Sequence, residues 1–264
     1  MTNLTPLRNF LSDPSNDLGA NAWKLLDLVK TMRNKRFMDL GVRNGASSAV
    51  MSVEAKENNN QVCGCDLDYK GFFRMGSKFV TEDYTCYQAD SVTLGKNWDE
   101  EPFDIVFVDT IHTREQVLAE LYFWANHITK NGYFIFHDSH WEKEGGDLIG
   151  GVEWKRVDEA ITDFFNLPTN VMEMDTYETE DISLKHYPGS YGMTFVQVKT
   201  LDAIERFKEG IDWDDVFKIR NHLNDLHFNR MNPDYIDWNQ DVENICLKYN
   251  VPLGAAALQF SMKD

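Results

Sequence analysis

Long hydrophobic runs are missing from this sequence: no stretch approaches the ~18 consecutive apolar residues that a spanning helix needs, so a membrane protein is not expected. The amino-terminal MTNLTPLRNFLSDPSND also lacks a basic region followed by an apolar one, and the expectation is a cytoplasmic protein. Cysteine is scarce. Cys63, Cys65, Cys86 and Cys246 show no C-x-x-C spacing, which excludes both a secreted disulfide framework and a zinc site of the usual spacing. Cys63 and Cys65, two apart in an apolar run, would share one strand face and pack as small hydrophobes. Basic residues are few as well, 26 against 43 acidic ones, and the formal net charge of −17 gives a surface that repels phosphate backbones. No nucleic-acid partner is expected, whereas a neutral or cationic small molecule or a metal ion is accommodated. Internal repeats and low-complexity segments are absent.

What is present is a chain of 264 residues, 42% hydrophobic and 26% charged, enough for one large α/β domain with an appendage. Its organising stretch is residues 36–53, RFMDLGVRNGASSAVMSV. Phe37, Met38 and Leu40 read as a buried strand, Gly41 and Gly45 bracket a tight turn, and Ser47 and Ser48 are placed to cap a following helix. Asp39 stands at the strand's end, where a carboxylate can meet a ligand's positive group. Such a strand–turn–helix presents backbone N–H groups to a nucleotide-like ligand. Arg43 occupies the place of the second glycine in a G-x-G-x-x-G fingerprint, so close approach of a pyrophosphate is obstructed. A nicotinamide dinucleotide is disfavoured, and a ligand without phosphate fits better. A plain strand-to-helix corner is the alternative.

Residues 1–20 are polar and read as an arm. Helical period follows in Trp23, Leu26, Val29 and Met32. Residues 61–65 form a second strand ending in Asp66-Leu-Asp68, where Asp66, or Asp68 in its stead, is placed for the hydroxyls of a ribose. After a helix over 72–80, a third strand over 84–88 leads to Asp90-Ser91. FDIVFV, residues 103–108, is a strand covered on both faces and ends at Asp109. Thr113 and Gln116 fit a capping box for a helix with Val117, Leu118 and Leu121 on one stripe. Residues 133–136 form a fifth strand that delivers His137-Asp138-Ser-His140. Glu142 to Gly151 is glycine-rich and reads as a mobile lid. Asn170–Met174 and Met193–Val198 suggest a hairpin. Beyond Thr200 the pattern turns helical, with Val216, Ile219 and Leu223 on one stripe and a further helix near Val242 and Ile245; this extension would fold back on the core or mediate self-association. The expected divisions are an arm, 1–20, a catalytic domain, 21–199, and a helical extension, 200–264.

Right-handed crossovers place the carboxyl ends of parallel strands on one edge, and Asp39, Asp66, Asp90, Asp109, His137 and Asp138 all fall there. Asp109 and Asp138 end consecutive strands, with His112 and His140 in the loops behind them. Two carboxylates and an imidazole suit a divalent cation. A rival arrangement is an iron(II) oxidoreductase built on His137, Asp138 and His140, and another is a non-catalytic, cofactor-binding scaffold.

DLGVRNGASS, then GCD, then FDIVFVDTIHTREQVLAEL, then NGYFIFHDSH resemble the class I S-adenosylmethionine-dependent methyltransferases. The likeness covers residues 37–198 and is greatest to the metal-dependent branch of macrocin and sugar O-methyltransferases and cephalosporin hydroxylase-like proteins. It implies a doubly wound, mostly parallel seven-stranded α/β sheet with helices on both faces, the Rossmann-like methyltransferase fold. It also implies S-adenosylmethionine as cofactor, with Asp39, Gly41 and Gly45 at its methionine end, Asp66 at its ribose, Asp90 with Ser91 at its adenine, and Ser47 as a further binding residue. Asp109 and Asp138 would hold a divalent metal, magnesium by expectation, with His137 as a third ligand where many relatives carry an acid. The reaction implied is methyl transfer from a sulfonium to the oxygen of a small hydroxylated molecule, a sugar, glycoside or polyphenol. Asp109, His112 or His140 would take the proton. Trp141, Trp154, Tyr187 and Tyr191 would suit stacking on the acceptor.

Overall fold

Five short apolar strands joined by helices should pair in parallel, and the computed structural model, which describes residues 4–16, 18–140, 157–231 and 258–261, has this core. In chain order the elements are α1 (Thr5–Leu11), α2 (Asn21–Val29), β1 (Arg36–Leu40), α3 (Ala46–Met51), α4 (Ala55–Asn58), β2 (Gln61–Asp66), α5 (Lys70–Met75), β3 (Thr85–Gln88), α6 (Ser91–Lys96) and β4 (Phe103–Val108). They continue with α7 (Arg114–Trp124), β5 (Ile128–His137), α8 (Val157–Phe164), β6 (Thr176–Glu178), β7 (Ile182–Tyr187), β8 (Met193–Val198), α9 (Ala203–Lys208), α10 (Trp213–Met231) and β9 (Leu258–Ser261). The sheet order is β6-β7-β8-β5-β4-β1-β2-β3-β9. Strands β1 to β5 run parallel, while β6, β7, β8 and β9 pair antiparallel. The sheet is Rossmann-like as expected, with nine strands among the described residues rather than seven, because β6 adds outside β7 and β9 outside β3.

Period-two alternation divides the core between the two faces. Phe37, Ile105 and Phe107 point to the side covered by α1, α2, α3 and α5, whereas Met38, Val106 and Phe134 point to the side covered by α6, α7 and α8. Every residue of β4 is buried, since that strand lies between β1 and β5 under both layers.

The lead-in is more structured than an arm, for α1 buries Leu7, Phe10 and Leu11, and Phe10 stacks on Phe79 at 4.7 Å. The hairpin is shifted from its expected place. Asn170 caps a single 3-10 turn over Val171–Glu173, and the partner of β8 is β7, whose Ile182, Leu184 and His186 alternate inward. Within the expected extension, α10 packs on the core: its Val216 and Leu223 are buried, and Trp213 meets Tyr122 of α7 with ring centroids 4.6 Å apart. The expected lid at Glu142–Gly151, Trp141, Trp154 and the helix near Val242 lie outside the described residues. No helix among the described residues is long and apolar enough to cross a membrane.

Strand order reverses between β1 and β4, the position where open α/β sheets bind ligands beyond the strand ends. The two ends are tied together, the Asp109 amide donating to the Leu40 carbonyl at 2.9 Å.

Candidate active site

The turn after β1 has the geometry that its two glycines predict. Gly41 and Gly45 take φ +89° and +83°, and Arg43 between them also takes a positive φ, +49°. The N–H of Arg43 thereby reaches the carboxylate of Asp66 at 2.7 Å, so the residue that blocks a dinucleotide fingerprint instead ties the first strand's turn to the second strand's acid. Gly45 faces inward: a Cβ there would stand 2.7 Å from the Phe72 ring. Ser47 and Ser48 do not cap α3, whose N-cap is Gly45. They donate instead to Asp39, Ser47 at 2.7 Å and Ser48 by a shorter bond, while Ser48 also bonds Tyr84 at 2.7 Å. Asp39 is fully buried and does not line the groove; it braces the turn from beneath, with its carboxyl pushed up to about 7 by burial against the two hydroxyl donors.

Beyond the strand ends lies a cavity of about 670 Å³, open mouth included. Gly41, Asp66, Asp90, Ser91 and Asp109 line it, together with Leu67, Ala89, Ile111, Gln116 and Asn224. Five of the expected site residues therefore share one groove. Asp68 does not line it and turns outward to Lys70 at 3.4 Å. Burial raises Asp66, against the N–H groups of Arg43 and Asp68 that hold it. Asp90 caps α6, its Oδ2 accepting from the Thr93 N–H at 2.8 Å. Ser47 belongs to a smaller recess beside Gly41 and Asp109, closed by Ser15, Asn16 and Leu18.

Behind Ser91 lies a carboxyl that the sequence reading did not single out. Glu120 of α7 is fully buried and accepts from Ser91 at 2.5 Å and from Gln116 and Thr110 at 2.8 Å each. Burial pushes it up to about 7, opposed by those three donors. Gln116 is the second member of the expected capping box, yet its side chain reaches Ser91 and Glu120; only the Thr113 half is made, accepting from the Gln116 N–H at 3.3 Å.

On the other side of Asp109 the acids meet imidazoles. His112 Nε2 stands 2.8 Å from Asp138 and 3.4 Å from Asp109, and His137 Nδ1 is 3.4 Å from both. Asp138 turns back toward Asp109 through a backbone φ of +53°, a left-handed conformation uncommon outside glycine. Ligand atoms of Asp109, His137 and Asp138 lie within 4.8 Å of one another. His137 Nε2 and Asp138 Oδ1 are buried with no hydrogen-bond partner among the described residues. Buried orphan atoms of this kind, on an imidazole and an acid with the Asp109 carboxylate beside them, fit a divalent cation. Burial works against charge on all three residues, but mutual attraction outweighs it. His137 is pushed up to about 10, chiefly by Asp109, and Asp109 and Asp138 are held below the usual carboxylate range by the imidazoles.

His140 falls outside this cluster. Its Nδ1 faces His186 Nε2 at 2.9 Å with the rings stacked, and His186 continues to Thr194 at 2.8 Å. The group that converges is thus Asp109–His137–Asp138, and the iron(II) set of His137, Asp138 and His140 is not assembled.

Residues 38–139 match a family described as "Methyltransferase domain". No curated protein matches the chain. Among solved structures, the fold resembles a protein assigned as an O-methyltransferase from Klebsiella pneumoniae, at 16% identity and a TM-score of 0.52 over 74% of this chain and 90% of that one. It also resembles an SAH-bound methyltransferase from Podospora anserina, at 12% identity and a TM-score of 0.52 over 74% and 88% of the two chains. A third, assigned as a caffeoyl-CoA O-methyltransferase from Staphylococcus aureus, shows 10% identity and a TM-score of 0.52 over 75% and 93%. The matched segment, which holds the glycine turn, Asp66, Asp90, Asp109 and Asp138, is similar to a methyltransferase domain, and the solved structures share its fold.

Proposed function

We propose that this chain moves the methyl group of S-adenosylmethionine to the oxygen of a small hydroxylated molecule, with a divalent cation held by Asp109, His137 and Asp138. The observation that carries this reading is the double position of Asp109, which lines the groove beyond the strand ends and belongs to the acid–imidazole cluster. A donor in the groove and an acceptor at the cluster would be neighbours. Two of the structures of like fold are assigned as O-methyltransferases and a third binds SAH, in keeping with this donor and acceptor.

In this reading Asp66 holds the ribose, Asp90 and Ser91 face the adenine, and Gly41 with Ser47 flank the methionine end. Asp39 and Gly45 shape the turn from below. A cation at the acid–imidazole cluster, magnesium being the expectation, would lower the pKa of an acceptor hydroxyl. His112, 2.8 Å from Asp138, is the chain's base: it accepts the hydroxyl proton as the oxygen takes the methyl and the sulfonium becomes a neutral thioether. The sulfonium is already a reactive donor, so alignment and deprotonation are what the protein must add.

Calorimetric titration of S-adenosylmethionine and S-adenosylhomocysteine, with and without Mg²⁺, tests the reading on the natural chain and on Asp66→Ala. Micromolar binding, weakened at least tenfold by the substitution, is expected. No heat from either ligand would sink the proposal.

A further inference from the structure

The methyltransferase match ends at residue 139, yet Asn224 of α10 lines the groove. One turn earlier, Arg220 points inward: its Nε donates to Gln116 at 2.9 Å and its Nη2 pairs closely with Asp90. An arginine on the polar stripe of a terminal helix ordinarily extends into water, whereas this side chain is only 11% exposed. Its two partners belong to different elements, the N-cap of α6 and the first turn of α7, so a single side chain fixes three walls of the groove. Buried Leu223 and Val216 anchor α10 beneath these contacts.

We infer that α10 supplies the outer wall of the adenine subsite, with Asn224 contacting the purine edge and Arg220 positioning Asp90 and Gln116 around it. The inference rests on the S-adenosylmethionine reading. With its amide oxygen toward Arg220, Asn224 accepts from Nε at 3.1 Å and from Nη2 at 3.3 Å, which directs its NH₂ away from the arginine. A side-chain amide complements adenine, whose ring nitrogens accept and whose amino group donates. Asp90 remains an acceptor for that amino group, because each carboxylate oxygen carries two lone pairs and Arg220 uses one. A 6-oxo purine reverses this pattern, setting an oxygen against the Asp90 carboxylate.

The experiment is calorimetric titration of S-adenosylhomocysteine and of its 6-oxo analogue, S-inosylhomocysteine, into the full chain and into Asn224→Ala, Arg220→Ala and Arg220→Lys. The natural chain is expected to prefer the adenine form at least tenfold. Asn224→Ala and Arg220→Ala should weaken S-adenosylhomocysteine about tenfold and compress that preference, with Arg220→Lys intermediate because it restores the charge on Asp90 but not the fork to Gln116. A merely structural role would lower affinity for both ligands and leave their ratio alone. Hydrogen exchange on the natural chain gives a second readout: residues 213–224 should gain protection when S-adenosylhomocysteine binds. If the natural chain binds the ligand while both alanine variants match it within twofold and α10 gains no protection, the inference falls alone. If the natural chain binds neither ligand, the cofactor reading falls and takes the inference with it.

Discussion

Carboxyls around the groove that are wholly or largely withdrawn from solvent behave in opposite ways. Asp39 and Glu120 are pushed up to about 7, whereas Asp109 and Asp138 are held below the usual range, although burial is the largest single influence on all four. The partners differ. Glu120 and Asp39 receive hydrogen bonds from neutral hydroxyl and amide donors on one oxygen each, and their other oxygens have no partner among the described residues. Asp109 and Asp138 face two imidazoles. Neutral donors do not repay the desolvation of a charge, and a neighbouring cation does. The pair beside the imidazoles therefore carries the charge that the proposed metal needs, while Glu120 and Asp39 hold a proton far more readily than an ordinary carboxylate.

The strongest way to break this contrast is to remove a charge from the metal side. Asp109→Asn should lower methyl transfer on the order of a thousandfold, ~4 kcal/mol, since it removes a proposed ligand from the meeting point of donor and acceptor. Activity at saturating Mg²⁺ measures it, and a loss under tenfold would detach Asp109 from the chemistry. Next, His137→Gln leaves the half-buried Asp109 and the buried Asp138 facing each other, and the chelator-treated protein should lose ~3 kcal/mol in chemical denaturation. Added divalent cation should restore part of that loss; if it does not, the acids are no metal pair.

Glu120→Gln sharpens the opposite side. Because the folded carboxyl titrates near 7, above its unfolded value, its contribution is fully present below the unfolded pKa and is lost as pH rises through 7. The glutamine variant should be more stable than the natural chain at pH 8 by ~3 kcal/mol and closely matched at pH 4, as read from urea midpoints. Equal differences at the two pH values would place the cause elsewhere. The smallest effect concerns protons. A metal must displace the proton that His137 holds up to about pH 10, so affinity for Mg²⁺ should rise about tenfold per pH unit between 6 and 8, ~1.4 kcal/mol each. Calorimetry in buffers of different ionisation enthalpy should register one proton released; a flat profile would put His137 outside the metal's shell.

Much of the fold was legible because its signals are local. FDIVFV is a strand over residues 103–108 with no polar position outside Asp104, and the structure gives the same limits. Cys63 and Cys65 are buried as small hydrophobes on one strand. Strand-end acids were readable wherever topology alone decides position, hence Asp66, Asp90 and Asp109 in one groove. What escaped depends on contacts distant in sequence. ISLKHY hides a strand because its inward positions include His186, which is buried against His140 and Thr194 rather than among apolar groups. Arg220 reads as a solvent-facing charge until Asp90, 130 residues earlier, is placed beside it. Asp39 sits one residue short of the strand end, and that single step of alternation puts it under the turn instead of in the groove.

Gly41 has a wider consequence. A methyl group there would stand 2.0 Å from the carbonyl oxygen of Asp109, so two main chains touch with no side chain between them. The separation of the cofactor turn from the strand that carries the acid is then a calliper setting, fixed by the thickness of peptide planes and not by any rotamer. Substitution at position 41 would change that setting, and any side chain there would spread the jaws.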